Sequence, residues 1–266
     1  MKNIFKRFIL SVTAVVILFS TVIAMPAPVF AAGDTTPFNW YAKRNPKHIL
    51  PDIEPDMRFI TEYNAVYGDT EAAKNGDKVI YLTFDAGYEN GNVERIVDTL
   101  KKHNATGAFF VLENFIARNP ELVKRMISEG HLICNHTKKH PDMTKITSKE
   151  AFEKELSGLD EVLTQYAGIP CAKFYRPPEG KFSKQNLQYA TELGYRTVFW
   201  SFAYADWDNS KQPSPEKAIK TILDNVHPGE IMLLHPTSKT NADILDTVLT
   251  SLENDGYRFA SLDKLP

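Results

Sequence analysis

Short apolar runs of this sequence repeatedly end in residues that can do acid–base or metal chemistry. Asp85 follows VIYLTF, the pair His136 and His140 follows HLICN, Arg176 ends KFYR, Asp206 comes after TVFWS, and His235 follows EIMLL. If the runs are parallel strands, these side chains meet at the edge formed by the carboxyl ends of the strands. The sequence therefore predicts a functional site at that edge.

The segment HTKKH places His136 and His140 four residues apart. This spacing puts two imidazoles on one side of a turn, where both can bind a single metal ion. An exposed pair of histidines at this spacing more often binds nothing, so the pair alone is a weak signal. A hydrolytic metal site needs few protein ligands, an open position for water and a nearby base. Asp85 supplies that base, which makes the two histidines the candidate metal ligands.

Two further residues, His235 and Arg176, have a structural and a functional interpretation each. His235 precedes Pro236 and fits either a core histidine bonded to the backbone or a proton donor whose ring is held by Asp206. Arg176 fits either a structural cation or a guanidinium that keeps Asp85 ionised and oriented. The remaining histidines lie away from the strand ends and are expected to be structural: His48, His103, His131 and His227.

The elements that must position these residues alternate between strand and helix. Seven apolar runs, from VIYLTF at Val79 to a weak final YRFAS, are separated by amphipathic segments, which is typical of βα units and a parallel sheet. The pattern fits both an open doubly wound sheet and a barrel of fewer than eight strands. Helices are expected to begin at Ser183, at Ser214 and at Thr147, which forms a capping box pattern with Glu150.

The first 32 residues have the pattern of an export signal. Basic residues near the N-terminus precede an apolar run from Phe8 to Ala24 and then small residues, so residues 1–32 read as a signal peptide cleaved after Ala31 or Ala32. An uncleaved membrane anchor is the alternative, because about 17 apolar residues can span a bilayer. In both cases the folded part is expected to be exported. We divide the rest into an N-terminal extension, residues 33–77, and a main domain, residues 78–266.

Composition limits the possible partners. The formal net charge is −2, so no basic excess indicates a nucleic-acid partner. We also expect a monomer. Cys134 and Cys171 are expected to be two free, buried cysteines, because parallel strands would place them at opposite ends.

Five motifs in order resemble the NodB-homology polysaccharide deacetylases, the fourth carbohydrate esterase family. TFDAG stands where the family has TFDDG, followed by HTKKH, RPPEG, ADW and LLH, from about residue 78 to the C-terminus. Within the family, FNWYAKR, TFDAGYENG, RPPEGKFS, FWSFAYADW and LLHPTSKTNADIL resemble the peptidoglycan N-acetylmuramic acid deacetylases of spore-forming bacteria.

The resemblance implies a fold and a reaction. It implies an α/β fold, a distorted (β/α)7 barrel, with a divalent metal, zinc foremost and cobalt or manganese as alternatives. The implied reaction is deacetylation of N-acetylmuramic acid in peptidoglycan on the way to muramic δ-lactam in the spore cortex, after a separate amidase has removed the stem peptide. Two alternatives stay open: deacetylation of N-acetylglucosamine in peptidoglycan or another polysaccharide, and a metal-free wall-binding pseudoenzyme.

The resemblance also assigns roles to individual residues. Asp85 would be the general base, His136 and His140 the metal ligands and His235 the general acid, with Arg176 orienting Asp85 and Asp206 supporting His235. A backbone N–H near Tyr175 would bind the oxyanion. The residues assigned to substrate binding are Tyr175, Pro177, Trp207 and Leu233.

Two positions depart from the family pattern. Ala203 stands where the family has an additional aspartate that supports the base, and Ala86 stands where most members have a metal-binding aspartate. A methyl group cannot bind a metal ion. The metal would then be held by the two histidines and water, or by a polar neighbour such as Asn90 or Asn135.

Overall fold

The computed structural model describes residues 33–266. The predicted export segment, residues 1–32, lies outside the described residues, so its interpretation stays a prediction. Among the helices of residues 33–266, none has the length and apolar character needed to cross a membrane.

The strands of the described part form one large parallel sheet and one small antiparallel pair. Their bounds are β1 Phe38–Asn39, β2 Ala65–Val66, β3 Val79–Ala86, β4 Gly107–Val111, β5 Leu132–Asn135, β6 Ala172–Tyr175, β7 Lys181–Phe182, β8 Arg196–Val198, β9 Glu230–Leu234 and β10 Arg258–Phe259. The large sheet has the order β10-β3-β4-β5-β6-β8-β2, with β9 on β3, and β1 pairs antiparallel with β7.

Helices follow most strands of the large sheet. Their bounds are α1 Thr70–Asn75, α2 Val93–Lys102, α3 Glu113–Arg118, α4 Pro120–Ser128, α5 Lys149–Ala167, α6 Lys184–Glu192, α7 Pro215–Leu223 and α8 Lys239–Asn254. Short 3-10 segments lie at Pro55–Tyr63, Met143–Lys145, Pro178–Gly180 and Leu262–Lys264.

The large sheet curls until the chain after β8 reaches β9. Phe202 forms a bridge with Met232, and the N–H of Leu233 donates to the carbonyl of Phe202 at 2.9 Å. The result is the distorted (β/α)7 barrel implied by the resemblance, which is confirmed. All seven predicted strands are present.

The alternation of side chains along β3 explains why Asp85 enters the barrel. Ile80, Leu82 and Phe84 pack in one apolar cluster with helix residues, whereas Val79 and Tyr81 pack in a second cluster with residues of other strands. Successive side chains of a strand point to opposite faces. Asp85 therefore continues the inward row of Val79 and Tyr81.

The segment before residue 78 contributes to the sheets. β2 pairs in parallel with β8, and β1 pairs with β7, directly after the RPPEG motif. Trp40 anchors the beginning of this segment, because its indole N–H donates to the carbonyl of Trp200 at 2.9 Å and its ring stacks on Phe199.

Cys134 and Cys171 are free and buried, as expected, but the reason given for this was wrong. The register pairs Cys134 with Ala172, with a shift between Cys134 and Asn135, so the two cysteines lie near each other and not at opposite strand ends. Burial raises the pKa of both thiols and keeps them protonated.

Ser183 and Ser214 cap α6 and α7, as predicted. The third helix start was wrong by one residue. Ser148, and not Thr147, caps α5, where its hydroxyl accepts a hydrogen bond from the backbone N–H of Ala151 at 3.2 Å.

Candidate active site

Asp85 and Arg176 form an ion pair at the carboxyl end of β3. Nη1 of Arg176 donates to Oδ1 of Asp85 at 2.8 Å. The Arg176 side chain is fully buried and only 11% of the Asp85 side chain is exposed. Burial alone would raise the pKa of Asp85, but the charge and hydrogen bond of Arg176, together with the charge of His235, outweigh it and hold the pKa below its ordinary value. Asp85 is therefore an ionised carboxylate with a fixed orientation.

The guanidinium of Arg176 is itself held on the remaining sides. Nε donates to the carbonyl of Val198 at 3.0 Å, and Nη2 donates to Oγ1 of Thr83 at 2.9 Å and to the carbonyl of Phe199 at 3.1 Å. Its flat face lies 4.2 Å from the centre of the Phe110 ring. A planar fork with several donors suits this environment, which a lysine would not satisfy.

The HTKKH turn brings the two candidate ligands together. The rings of His136 and His140 lie 5.0 Å apart, centre to centre. Thr137 and His140 have φ values of 70° and 59°, in the left-handed region that residues with a Cβ rarely adopt. The hydroxyl of Thr137 stabilises the turn by accepting the N–H of His140 at 2.9 Å. Backbone strain of this kind is concentrated at functional sites.

His136 presents one ring nitrogen toward Asp85. Its Nδ1 lies 2.8 Å from the carbonyl of Arg176, so Nδ1 carries the proton and Nε2 keeps a free lone pair. Nε2 lies 3.6 Å from Oδ2 of Asp85. Burial lowers the pKa of His136 to about 4, and the charge of Asp85 opposes this effect without reversing it. His136 is thus a neutral imidazole in the tautomer that a metal ligand needs.

The donor set of the described residues is limited to these two imidazoles. Over residues 33–266, no group of three or more His, Cys, Asp and Glu side chains is arranged to hold a metal ion. Ala86 is fully buried and packs in the apolar cluster of Phe84. Two imidazoles, one of them with an oriented nitrogen, fit an ion that prefers nitrogen ligands, such as zinc, with water completing the coordination.

The two amides considered as substitute ligands are already bonded elsewhere. Nδ2 of Asn135 donates to the carbonyl of Leu156 at 2.9 Å, and its Oδ1 accepts the N–H of Thr137 at 2.9 Å. Nδ2 of Asn90 donates to the carbonyl of Thr237 at 2.9 Å, and its Oδ1 accepts the N–H of Asn92 at 3.3 Å. Asn135 is not supported as a ligand, because both polar atoms of its amide make hydrogen bonds that stabilise the turn.

His235 and Asp206 form a second acid–base pair. Nδ1 of His235 lies 2.7 Å from Oδ1 of Asp206, and the backbone N–H of His235 donates to Oδ2 at 2.8 Å. Burial would lower the pKa of His235, but the charge and hydrogen bond of Asp206, with a contribution from Asp85, raise it above its ordinary value. The arrangement stabilises a protonated imidazole with Nε2 directed away from Asp206.

The four residues assigned to substrate binding differ in exposure. The Trp207 ring is 65% exposed beside Asp206, and Leu233 is buried on β9. Pro177 is buried, and its carbonyl accepts the N–H of Gly180 at 3.0 Å. The ring of Tyr175 is fully buried against Phe152, so its side chain is not accessible to a substrate.

The other histidines take structural positions, as the sequence indicated. His131 accepts the N–H of Gly107, His227 lies 2.9 Å from Oγ of Ser201, His48 bonds to the carbonyl of Val226, and His103 contacts Asp246 and Glu253.

Sequence reasoning missed Thr83 and Asn241. Thr83 lies two residues before Asp85 on the same strand face, a period-two signal that was present in TFDAG. Asn241 lies on α8 and bonds to both Asp206 and His235. Only the packing of α8 brings it to the site.

Comparison with known proteins agrees with this geometry. The family described as polysaccharide deacetylase matches residues 72–198. The Bacillus subtilis (strain 168) peptidoglycan-N-acetylmuramic acid deacetylase PdaA is 42% identical over 231 residues, which cover 86% of this chain and 86% of that protein. This chain belongs to the polysaccharide deacetylase family. The resemblance found in the motifs is confirmed, and so is the prediction of an N-deacetylase.

Solved structures agree in fold over most of the chain. The structure of Bacillus subtilis PdaA, a family 4 carbohydrate esterase, has a TM-score of 0.81 at 41% identity and covers 87% of this chain and 97% of its own. A family 4 carbohydrate esterase from Bacillus anthracis has a TM-score of 0.71 at 36% identity and covers 88% of this chain and 98% of its own. A Bacillus cereus peptidoglycan-N-acetylglucosamine deacetylase is 31% identical over 88% of this chain and 76% of that protein.

Proposed function

We propose that this chain is a metal-dependent hydrolase that removes the N-acetyl group from N-acetylmuramic acid in peptidoglycan. The 42% identity to PdaA over 86% of both chains supports this substrate. The observation that carries the reaction type is the pairing, at one barrel edge, of an ionised Asp85 held by Arg176 with a His235 held by Asp206.

Asp85 is the general base of the proposed reaction. Its Oδ1 is occupied by Arg176 at 2.8 Å, which leaves Oδ2 as the atom that removes a proton from the attacking water. The low pKa of Asp85 keeps the carboxylate ionised before the reaction. Attack of the water on the acetamide carbonyl gives a tetrahedral intermediate, whose negative oxygen needs hydrogen-bond donors.

His235 is the general acid. The leaving group of amide hydrolysis is an amine that must be protonated as the C–N bond breaks. The ion pair with Asp206 keeps the imidazole of His235 protonated and fixes its ring, so that Nε2 donates this proton. The products are acetate and a free amine on the sugar.

His136 and His140 would hold the divalent ion, with zinc as the first candidate and cobalt or manganese as alternatives. When bound, such an ion polarises the acetamide carbonyl and acidifies water. The hydrogen bond from Nδ1 of His136 to the carbonyl of Arg176 leaves Nε2 as the nitrogen that would bind the ion.

The exposed ring of Trp207 and the buried Leu233 are the proposed contacts of the acetyl group and sugar. Apolar and aromatic surface suits both a methyl group and a sugar face. We further infer that the protein acts outside the cytoplasmic membrane on glycan strands without stem peptides, in the formation of muramic δ-lactam in spore cortex. The export pattern of residues 1–32 and the resemblance to the muramic acid branch support this context.

Acetate release and product analysis test the proposal. The purified protein is incubated with zinc, cobalt or manganese and either peptide-free peptidoglycan glycan or N-acetylglucosamine oligomers, and products are identified by mass spectrometry. Loss of acetyl groups from muramic acid residues is the expected result.

Deacetylation of N-acetylglucosamine residues only would replace the substrate while keeping the chemistry. Failure to bind any of the three metal ions, together with no turnover, would replace the enzyme by a wall-binding pseudoenzyme.

A further inference from the structure

Asn241 joins the two members of the acid pair. It is the third residue of α8 and is 1% exposed. Its Nδ2 donates to Oδ2 of Asp206 at 2.6 Å and to the backbone carbonyl of His235 at 3.0 Å. One amide group therefore contacts both the carboxylate and the main chain of the residue that the carboxylate holds.

The orientation of this amide is fixed from its other side. The hydroxyl of Tyr204 donates to Oδ1 of Asn241, and the backbone N–H of Asn241 donates to Oγ of Ser238 at 3.1 Å. A carboxylate oxygen accepts hydrogen bonds only, so the donor half of the amide must face Asp206. A flipped amide would place two acceptors in contact there and leave the Tyr204 hydroxyl without its acceptor.

The loop that carries Asp206 is tied to the same helix end. Nε2 of Gln212 donates to the carbonyl of Asp206 at 2.8 Å, and the hydroxyl of Ser238 donates to Oε1 of Gln212. The Asp206 carboxylate thus accepts hydrogen bonds from the ring and the backbone N–H of His235 and from the amide of Asn241. Asp206 is only 1% exposed. A buried carboxylate is stable only when hydrogen-bond donors replace the water it has lost, so the loss of any one of these donors is costly.

We propose that Asn241 is a positioning residue of the deacetylation, which fixes Asp206 and His235 in the geometry that delivers the proton to the leaving amine. The inference rests on the proposed role of His235 as general acid. The side chain of Asn241 is 1% exposed and hydrogen-bonds to Asp206, His235 and Tyr204. Its effect passes through Asp206.

Other charged groups also face His235. Asp85 on β3 and Arg176 after β6 act on it, as does Asp206, and the Tyr204 hydroxyl lies beside Asp206 in the same network. A test must therefore separate the loss of one hydrogen bond from a general change of charge in the site.

The substitution Asn241→Leu removes the amide and keeps a similar volume. We expect kcat on peptide-free glycan to fall by about 10- to 100-fold, because loss of orientation at the reacting centre can cost this much, with little change in KM. In the protein without substrate, the NMR resonance of the Nδ1 proton of His235, which reports its hydrogen bond to Asp206, is expected to broaden or move.

Asn186→Leu is the matched control. Asn186 is also the third residue of its helix, is 1% exposed, and donates its backbone N–H to a serine cap, Ser183, at 3.1 Å. Its side chain bonds to Met143 and Ser183 and not to the acid pair. We expect this variant to lose stability but to keep its kcat per folded molecule and the His235 resonance.

Asn241→Asp provides a second test if the leucine variant does not fold. At the acid end of the pH range the new carboxyl is protonated and donates an O–H to Asp206, which replaces the amide. As the pH rises it ionises and repels Asp206. The ratio of kcat for this variant to kcat for the natural protein, measured below the alkaline limb of the natural profile, is therefore expected to decrease as the new carboxyl ionises.

Three results would overturn the inference. The first is a folded Asn241→Leu protein with natural kcat and an unchanged His235 resonance. The second is an equal loss of kcat per folded molecule in the two leucine variants. The third is an Asn241→Asp ratio that does not change with pH. If the natural protein shows no deacetylation at all, the proposed function fails, while the resonance still decides whether Asn241 holds the pair.

Discussion

Replacing Asp206 by asparagine should make the enzyme lose activity at a lower pH. The reaction requires a protonated His235, so activity falls as the pH rises through the pKa of His235. Burial acts to lower this pKa, and the charge and hydrogen bond of Asp206 are the main opposing influence. In Asp206→Asn burial becomes dominant. The alkaline limb of the pH–rate profile should then move below the ordinary histidine value of about 6.5.

The size of the effect follows from the contact. A carboxylate and an imidazolium in direct contact have charge centres about 4 Å apart and interact by about 4 kcal/mol at an effective dielectric constant of about 20. The N–O distance is 2.7 Å, and the His235 side chain is 26% exposed, so solvent screens part of this interaction. Screening leaves on the order of 2–3 kcal/mol, which corresponds to about 30- to 150-fold in the acid dissociation constant.

The assay is acetate release on peptide-free glycan across the pH range, with kcat/KM fitted for each protein. Asp208→Asn is the control, because Asp208 lies on the same loop and accepts hydrogen bonds from Ser210, with no contact to His235. It removes the same charge from the same loop. An alkaline limb that stays in place in Asp206→Asn, or that moves equally in both variants, would refute the role of the ion pair.

Three further changes test the remaining roles. Asp85→Asn keeps a hydrogen-bond acceptor for Arg176 but removes the base, so turnover should fall by about 10²- to 10⁴-fold with metal content unchanged. His136→Ala should weaken zinc binding in calorimetry, whereas His131→Ala, at a buried histidine that accepts the N–H of Gly107, should not. Ala86→Asp should lower the melting temperature of the metal-free protein, because it buries a carboxylate in an apolar cluster, and should increase the stabilisation that added zinc provides.

Each of these changes has a contrary result. Natural turnover in Asp85→Asn would show that another group is the base. Equal zinc affinity in His136→Ala and the natural protein would remove His136 from the ligand set. The same zinc-induced rise in melting temperature with alanine or aspartate at position 86 would show that this position does not reach the ion.

The location of the site was predictable because it depends only on strand direction. Asp85, His136, Arg176 and His235 each follow an apolar run, and parallel strands bring their carboxyl ends to one edge whatever the helices do. The contact of Arg176 with Asp85 and that of Asp206 with His235 follow from the same rule. The chemical roles of these residues stay predictions.

Strand register and tertiary packing are the features that could not be predicted from the sequence. The irregular pairing at Cys134 and Asn135 has no signature in the sequence, and it reversed the expected separation of the two cysteines. β2 has only two residues, too few for a period-two pattern to be recognised. The spacing of apolar residues predicts which face of α8 is buried. It does not predict that Asn241, on that helix, contacts Asp206, because this depends on where α8 packs in the fold.

The environment of Arg176 also bears on how related sequences are interpreted. Its backbone N–H donates to the carbonyl of Asn135, and its own carbonyl accepts a hydrogen bond from the ring of His136. Its side chain donates to Asp85 on β3 and to Val198 on β8, and so links these two strands. One residue therefore supports the barrel, orients the candidate base Asp85 and fixes the ring of the candidate metal ligand His136. A descendant that loses catalysis by changing His140 would leave these contacts of Arg176 in place. The presence of arginine at this position in a relative therefore does not by itself indicate an active enzyme.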